Sequence, residues 1–200
     1  MRGTARVRQK TTPVHRALRD GTADLHASIE ERMRLPDRVR TISTYRSLLE
    51  RYLRALEPLE RDLGRFSWPS RLRFEERRKS PLIQADLASL GAPDGAMRGS
   101  SQSQDPLIHG SRAEAFGCLY VLEGATLGGR LILRDVQTQL GLAPSTGARF
   151  FAGYGAETGA MWSSFLAILA EAVTSPDEVD EALSGARKTF RLLDSWINAA

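Results

Sequence analysis

Apolar residues recur at spacings of three and four along most of this 200-residue chain, and nowhere do they alternate over a useful length. That regularity excludes a core built on a sheet and leaves helix packed on helix. No internal repeat and no shift in composition divides the chain, so one domain is expected over residues 12–200, behind a flexible basic tail at residues 1–11. The expected fold class is all-α, a single-domain globular helical bundle.

The punctuation of the chain sets the helices. Thr12 before Pro13 reads as an N-cap, and the first helix should run from there to just before Pro36. A second is expected from Ser43 to Leu63, burying Tyr45, Leu48, Leu49, Tyr52, Leu53, Leu56 and Leu59, and ending at Gly64. In "RFSWPSRLRFEERRKS" the cluster of arginines reads as a solvated surface over Phe66, Trp68 and Phe74. Ser80 should cap a short helix opened by Pro81 and closed by Gly91, and residues 92–110 read as a mobile connection. Ser111 and Glu114 form the pattern of a capping box, which opens a long helix towards Gly141. One more helix is expected from Glu157 to Val173, and a last from Ser175, where Pro176 and Glu178 make a second capping box. Six or seven such helices can house a pocket between them.

Charge and cysteine usage narrow the function classes. Lys plus Arg number 28 against 24 Asp plus Glu, a net +4 that is carried almost wholly by arginine and favours an acidic ligand or partner. The cations are scattered among acids rather than gathered with aromatics, so no nucleic-acid partner is expected. Apolar stretches fall short of ~18 residues and are broken by charge or glycine, and the basic start lacks a following apolar region, so the expectation is a cytoplasmic protein with no membrane segment. Cys118 is the single cysteine, which excludes an intrachain disulfide and a zinc site built on cysteines. Among Phe116, Leu119 and Val121 it reads as a core residue rather than a nucleophile.

Two segments carry chemistry. In "YVLEGATLGGRLIL" the helical spacing puts Tyr120, Gly124 and Gly128 on one stripe with Gly129 beside it, although each glycine costs a helix ~1 kcal/mol relative to alanine. A face without side chains serves either close packing against another helix or a flat ligand pressed on a helix that bends. In "HRALRDGTADLHASIEERM" His26 lies one turn from Thr22 and from Glu30, and two turns from Arg19, so all four would share a face of one continuous helix. Glu30 is then either a surface partner of His26 or the carboxylate that fixes the tautomer of a metal-ligating imidazole. The other histidines are His15 and His109, and none of the three follows a glutamate by three positions, which disfavours a zinc or di-iron centre. One histidine suffices where a macrocycle supplies the remaining ligands, as in haem.

"LRDGTADLHASIE" resembles the proximal helix of the heme oxygenases, "YVLEGATLGGRLIL" their distal helix, and "GARKTFRLLDSW" their C-terminal helix. The wording "EGATLGG", with "YGAETGAMWSSF" further on, is most similar to the bacterial branch often encoded with bacteriophytochromes. The resemblance covers residues 12 to 198 in matching order. It implies haem sandwiched between a proximal and a kinked distal helix, His26 as the iron ligand, Glu30 as its partner, and Gly124 and Gly128 as the distal face where catalysis occurs. It further implies Gly129 as the site of the bend, Phe190 against the macrocycle, and Arg19 and Tyr120 as holders of the haem carboxylates. The implied activity is oxidation of haem b, at once substrate and cofactor, by O2 to biliverdin, carbon monoxide and ferrous iron. Electrons would come from an external ferredoxin, flavodoxin or reductase, and the protein would be a monomer. This chain departs from the mammalian branch at Ala125, where that branch has an aspartate, and Glu123 is expected to turn away as a surface charge. A haem-binding or sensory protein without turnover, or a haem-free bundle holding another small molecule, are the alternatives.

Overall fold

The computed structural model describes residues 11–33, 39–93, 108 and 110–197, so most of the expected tail and of the 92–110 connection lies outside the described residues, as does His109. The described chain is helical with no strand, and its elements are α1 (Pro13–Gly21), α2 (Ala23–Met33), α3 (Ile42–Leu63), α4 (Phe74–Arg77), α5 (Ser80–Ser89), α6 (Arg112–Leu140), α7 (Arg149–Ala152), α8 (Thr158–Ala172) and α9 (Pro176–Ile197).

Most of the expected punctuation holds. Thr12 accepts from the His15 backbone at the start of α1, and Thr41 opens α3 with a reciprocal Thr41–Thr44 pair. Ser175 and Glu178 form the expected capping box, Glu178 N–H donating to Ser175 Oγ while Ser175 N–H donates back to the Glu178 carboxylate. At α6 only half of the box exists: Glu114 N–H donates to Ser111 Oγ at 3.2 Å, but the Glu114 carboxylate pairs with Lys188 Nζ at 2.6 Å. Ser80 does not cap α5 either, because its hydroxyl donates to the buried Glu60 carboxylate.

The first helix differs most. It is broken into α1 and α2 at Thr22, which has φ −121° and ψ 4° and whose hydroxyl donates back to the Leu18 carbonyl at 2.7 Å. Back-bonding of this kind competes with the helix ladder. Thr22 is therefore buried and committed, and the shared face of Arg19, Thr22, His26 and Glu30 is divided between two helices.

α6 and α9 form the axis of the bundle and cross in close contact, since a Cβ on Gly117 would meet the Ala182 carbonyl and one on Gly185 the Glu114 carbonyl. Around that crossing α3, α5, α7 and α8 complete the core, with Tyr45, Leu49, Leu53, Phe116 and Phe165 fully buried. Trp68 stacks on Phe74 and meets Phe116 edge-on at 4.9 Å, so the expected aromatic layer is present. α6 has the length and the mean hydropathy, 1.3 over its most apolar window, of a membrane-crossing helix. Half of that window is buried inside the bundle, against α9, α7 and α8, so its apolarity serves the core.

Candidate active site

α2 packs on α1 and α9, while α6 packs on α9, α7 and α8, so α9 is the common floor beneath both segments singled out by the sequence. His26 projects from α2 with its side chain 57% exposed, its Nδ1 3.6 Å from Glu30 Oε2 one turn on. Below it, the ring of Phe190 on α9 meets the imidazole edge-on at a centroid distance of 6.0 Å. Nothing in the bundle claims the remaining edge of that imidazole through a hydrogen bond among those the described residues make.

The three glycines of α6 have different surroundings. A Cβ on Gly128 would meet nothing within 4 Å, and one on Gly124 would reach only the edge of Trp162 at 3.9 Å. Gly129, by contrast, is buried, and its Cβ would lie 3.1 Å from the Phe151 carbonyl, so it lets α7 approach α6. Both uses of helical glycine thus occur on one helix, separated by the 100° step between Gly128 and Gly129. α6 is helical without interruption through all three. Leu127 and Leu131 share the stripe of Gly124 and Gly128, and Leu131 is 71% exposed. Large apolar side chains left bare beside a bare backbone form a surface suited to a flat apolar ligand.

Tyr120, one turn before Gly124, joins a ring cluster with His15 of α1 at 6.2 Å and Trp162 of α8 at 5.5 Å. Burial holds its phenol above the usual range, and burial followed by the nearby Arg19 guanidinium holds the His15 imidazole below its own. Arg19 is exposed and pairs with Asp20 at 2.8 Å, leaving its guanidinium at the surface beside that cluster. His15 and Trp162 were not singled out by the sequence. Only the four-residue step from His15 to Arg19 on α1 could have flagged the histidine.

Glu123 corrects an expectation. It is not a surface charge: its carboxylate is buried, with Arg77 Nη1 donating to it at 2.5 Å, Lys79 Nζ at 3.2 Å and the Tyr154 hydroxyl at 2.6 Å. Arg77, expected with the neighbouring arginines on a solvated surface, is with Lys79 a buried cation of this cluster. Burial lowers the Lys79 pKa, opposed by Glu123, and burial raises that of the Tyr154 phenol. The cluster ties the residue before Gly124 to α4, to the start of α5 and to the segment before α8, fixing the glycine face from the side. Ala125 is exposed and supplies no acid at that face.

Cys118 is buried, and burial pushes its thiol up to about 12, which makes it a core residue. It borders a cavity of about 220 Å³ with Leu59, Ile108 and Leu192 that includes neither His26 nor the glycines of the stripe. Among the described residues no group of three or more His, Cys, Asp or Glu is placed to hold a metal ion.

The family model described as heme oxygenase matches residues 12–199, a span that holds α1 and α2 with His26, the glycine face and α9. The chain belongs to the heme oxygenase family. A heme oxygenase of Xanthomonas campestris pv. campestris (strain 8004) is 34% identical over 152 residues, covering 74% of this chain and 84% of that protein. The fold is also that of the heme oxygenase from Neisseria meningitidis solved with NO and CO bound, with a TM-score of 0.75 at 21% identity and 94% of each chain covered. Membership makes the chain a haem-degrading oxidoreductase, with haem as its substrate. The residues fit that group: one exposed imidazole, and one stripe of bare glycine backbone flanked by exposed leucines, stand on two helices seated on the same floor.

Proposed function

We propose that this heme oxygenase binds haem b between α2 and α6 and converts it to biliverdin, carbon monoxide and ferrous iron with O2 and electrons from an external donor. The observation that carries the reading is an exposed His26 imidazole, backed by Glu30, on the same floor as an α6 stripe that presents backbone and bare leucines.

His26 would be the iron ligand, and the Glu30 carboxylate, 3.6 Å from Nδ1, is placed to favour the tautomer that leaves Nε2 free to ligate. Phe190 forms the apolar wall beneath. Arg19 and Tyr120 bind the carboxylates of the macrocycle, the first by charge and the second by a hydroxyl that burial keeps protonated. Gly124 and Gly128 would leave room for haem against α6, and the lack of a side chain at either position keeps that face open to O2. Gly129 lets α6 sit close on α7 while its face stays open. Haem, when bound, supplies the oxygen-activating iron and the carbon that is oxidised.

The "EGATLGG" wording supports the bacteriophytochrome-associated bacterial branch, and a bacterial heme oxygenase, that of Xanthomonas, is 34% identical. An arginine-rich surface suits an acidic ferredoxin, flavodoxin or reductase as donor. We further infer a cytoplasmic monomer. Hemin, a reductant and air test the reading: bile-pigment absorption supports it, a stable haem spectrum reassigns the protein to haem binding or sensing, and no haem spectrum removes it. His26→Ala should abolish imidazole ligation in that assay, and an unchanged haem spectrum would sink the assignment.

A further inference from the structure

We infer that Arg187 on α9 is a positioning residue for His26, clamping the α1–α2 junction so that the proximal helix sits at one depth in the bundle. The inference rests on the reading of His26 as the iron ligand. Arg187 Nη1 donates to the Gly21 carbonyl, the last of α1, and the guanidinium also donates to both Asp24 carboxylate oxygens, in the first turn of α2, at 3.1 Å each. One planar fork therefore holds both sides of the break at Thr22.

Its neighbours on α9 extend the contact in register. Leu183, one turn earlier, lies against Gly21, where a Cβ would approach to 2.6 Å. Phe190, three residues later, meets the His26 ring. Leu183, Arg187 and Phe190 thus face Gly21, Gly21 with Asp24, and His26 in order along one face of α9. Such a clamp is needed because α2 packs weakly: every residue from Ala23 to Glu31 is exposed or half-buried, and only Leu25 and Ile29 reach the core. A helix with so little buried apolar surface is held in place by its polar ties and opens readily when they go.

An ion pair this exposed adds little to global stability, and that separates positioning from bulk support. Arg187→Met keeps the stem and removes the fork. In the apoprotein, amide hydrogen exchange over residues 23–31 should accelerate roughly five- to tenfold while α3 and α6 are unchanged and the melting temperature moves by no more than about 3 °C. With hemin bound, the ferrous iron–histidine stretching band should broaden or split, and haem loss should quicken by a similar factor. Arg187→Lys should restore part of the protection through the Gly21 carbonyl, and Asp24→Asn should show a milder form of the same pattern. Unchanged exchange over 23–31 in Arg187→Met overturns the inference and leaves His26 as ligand standing. Accelerated exchange throughout the molecule with a large fall in melting temperature also overturns it, because the role would then be general support. A haem spectrum untouched by His26→Ala instead overturns the ligand assignment on which the positioning role depends.

Discussion

Glu123 sits one position before an open glycine and is surrounded by Arg77, Lys79 and the Tyr154 hydroxyl, so its charge is stabilised where water does not reach. Removing it strands two buried cations, and Glu123→Ala should cost about 3–5 kcal/mol of unfolding free energy in urea denaturation. A loss under about 1 kcal/mol would show that water already screens the cluster. The sequence hides this arrangement because its partners stand 46, 44 and 31 residues away, and helical periodicity reports only neighbours three and four apart. His15 is a second case. Its pKa is lowered first by burial and then by Arg19, so below the ordinary histidine value of 6.5 the unfolded chain takes up a proton that the folded chain resists. Apoprotein stability should therefore fall as pH drops through 6.5 towards the folded value, and the fall should be shallower in His15→Phe. Equal pH slopes for the two proteins between pH 7.5 and 5.5, the range of about one unit either side of that value, would place His15 outside the linkage.

At the scale of elements, two adjacent glycines on α6 give opposite expectations. Gly128 has open space where its Cβ would be, so Gly128→Ala should stabilise the apoprotein by up to ~1 kcal/mol through helix propensity alone. At Gly129 the added carbon presses on the Phe151 carbonyl at 3.1 Å, and the same substitution should cancel that gain or reverse it. Thermal unfolding of the pair decides the matter, and equal effects would mean that α7 yields freely. Gly128→Leu then tests the face itself: hemin uptake should survive better than turnover, because the side chain fills the space that Gly128 leaves open. The sequence showed the stripe of Tyr120, Gly124 and Gly128, and the caps at Thr12 and Ser175, since these depend on spacing and local hydrogen bonds. It did not show the break at Thr22. That residue's hydroxyl could equally face solvent or bond to the Leu18 carbonyl, and the bonded form occurs where Gly21 packs against Leu183 and Arg187, residues far away in the sequence. Nor could spacing alone decide which glycine packs and which stays open, because that depends on where α7 arrives from the far side of the bundle.

For the whole molecule, the two faces of the candidate site belong to helices that are joined through α9 rather than to each other. α6 is locked into the core by its glycine crossing with α9, whereas α2 is half-exposed and tied by Arg187 and Phe190. A ligand that touches both faces should then redistribute stability unevenly. Hemin at 100 times its dissociation constant contributes about 2.7 kcal/mol, which for a domain of this size raises the melting temperature by roughly 5–10 °C. The accompanying hydrogen-exchange protection should concentrate in α2 and in residues 124–131, with little change in α3 and α5, whose buried faces lie in the core. The His26→Ala protein should lose most of the protection in α2 while keeping some over α6, because apolar contact with Leu127 and Leu131 does not need the iron bond. Protection that appears instead around Leu59, Cys118 and Leu192 would move the ligand to the cavity behind the α6–α9 crossing. In that event the open glycine face would need another explanation.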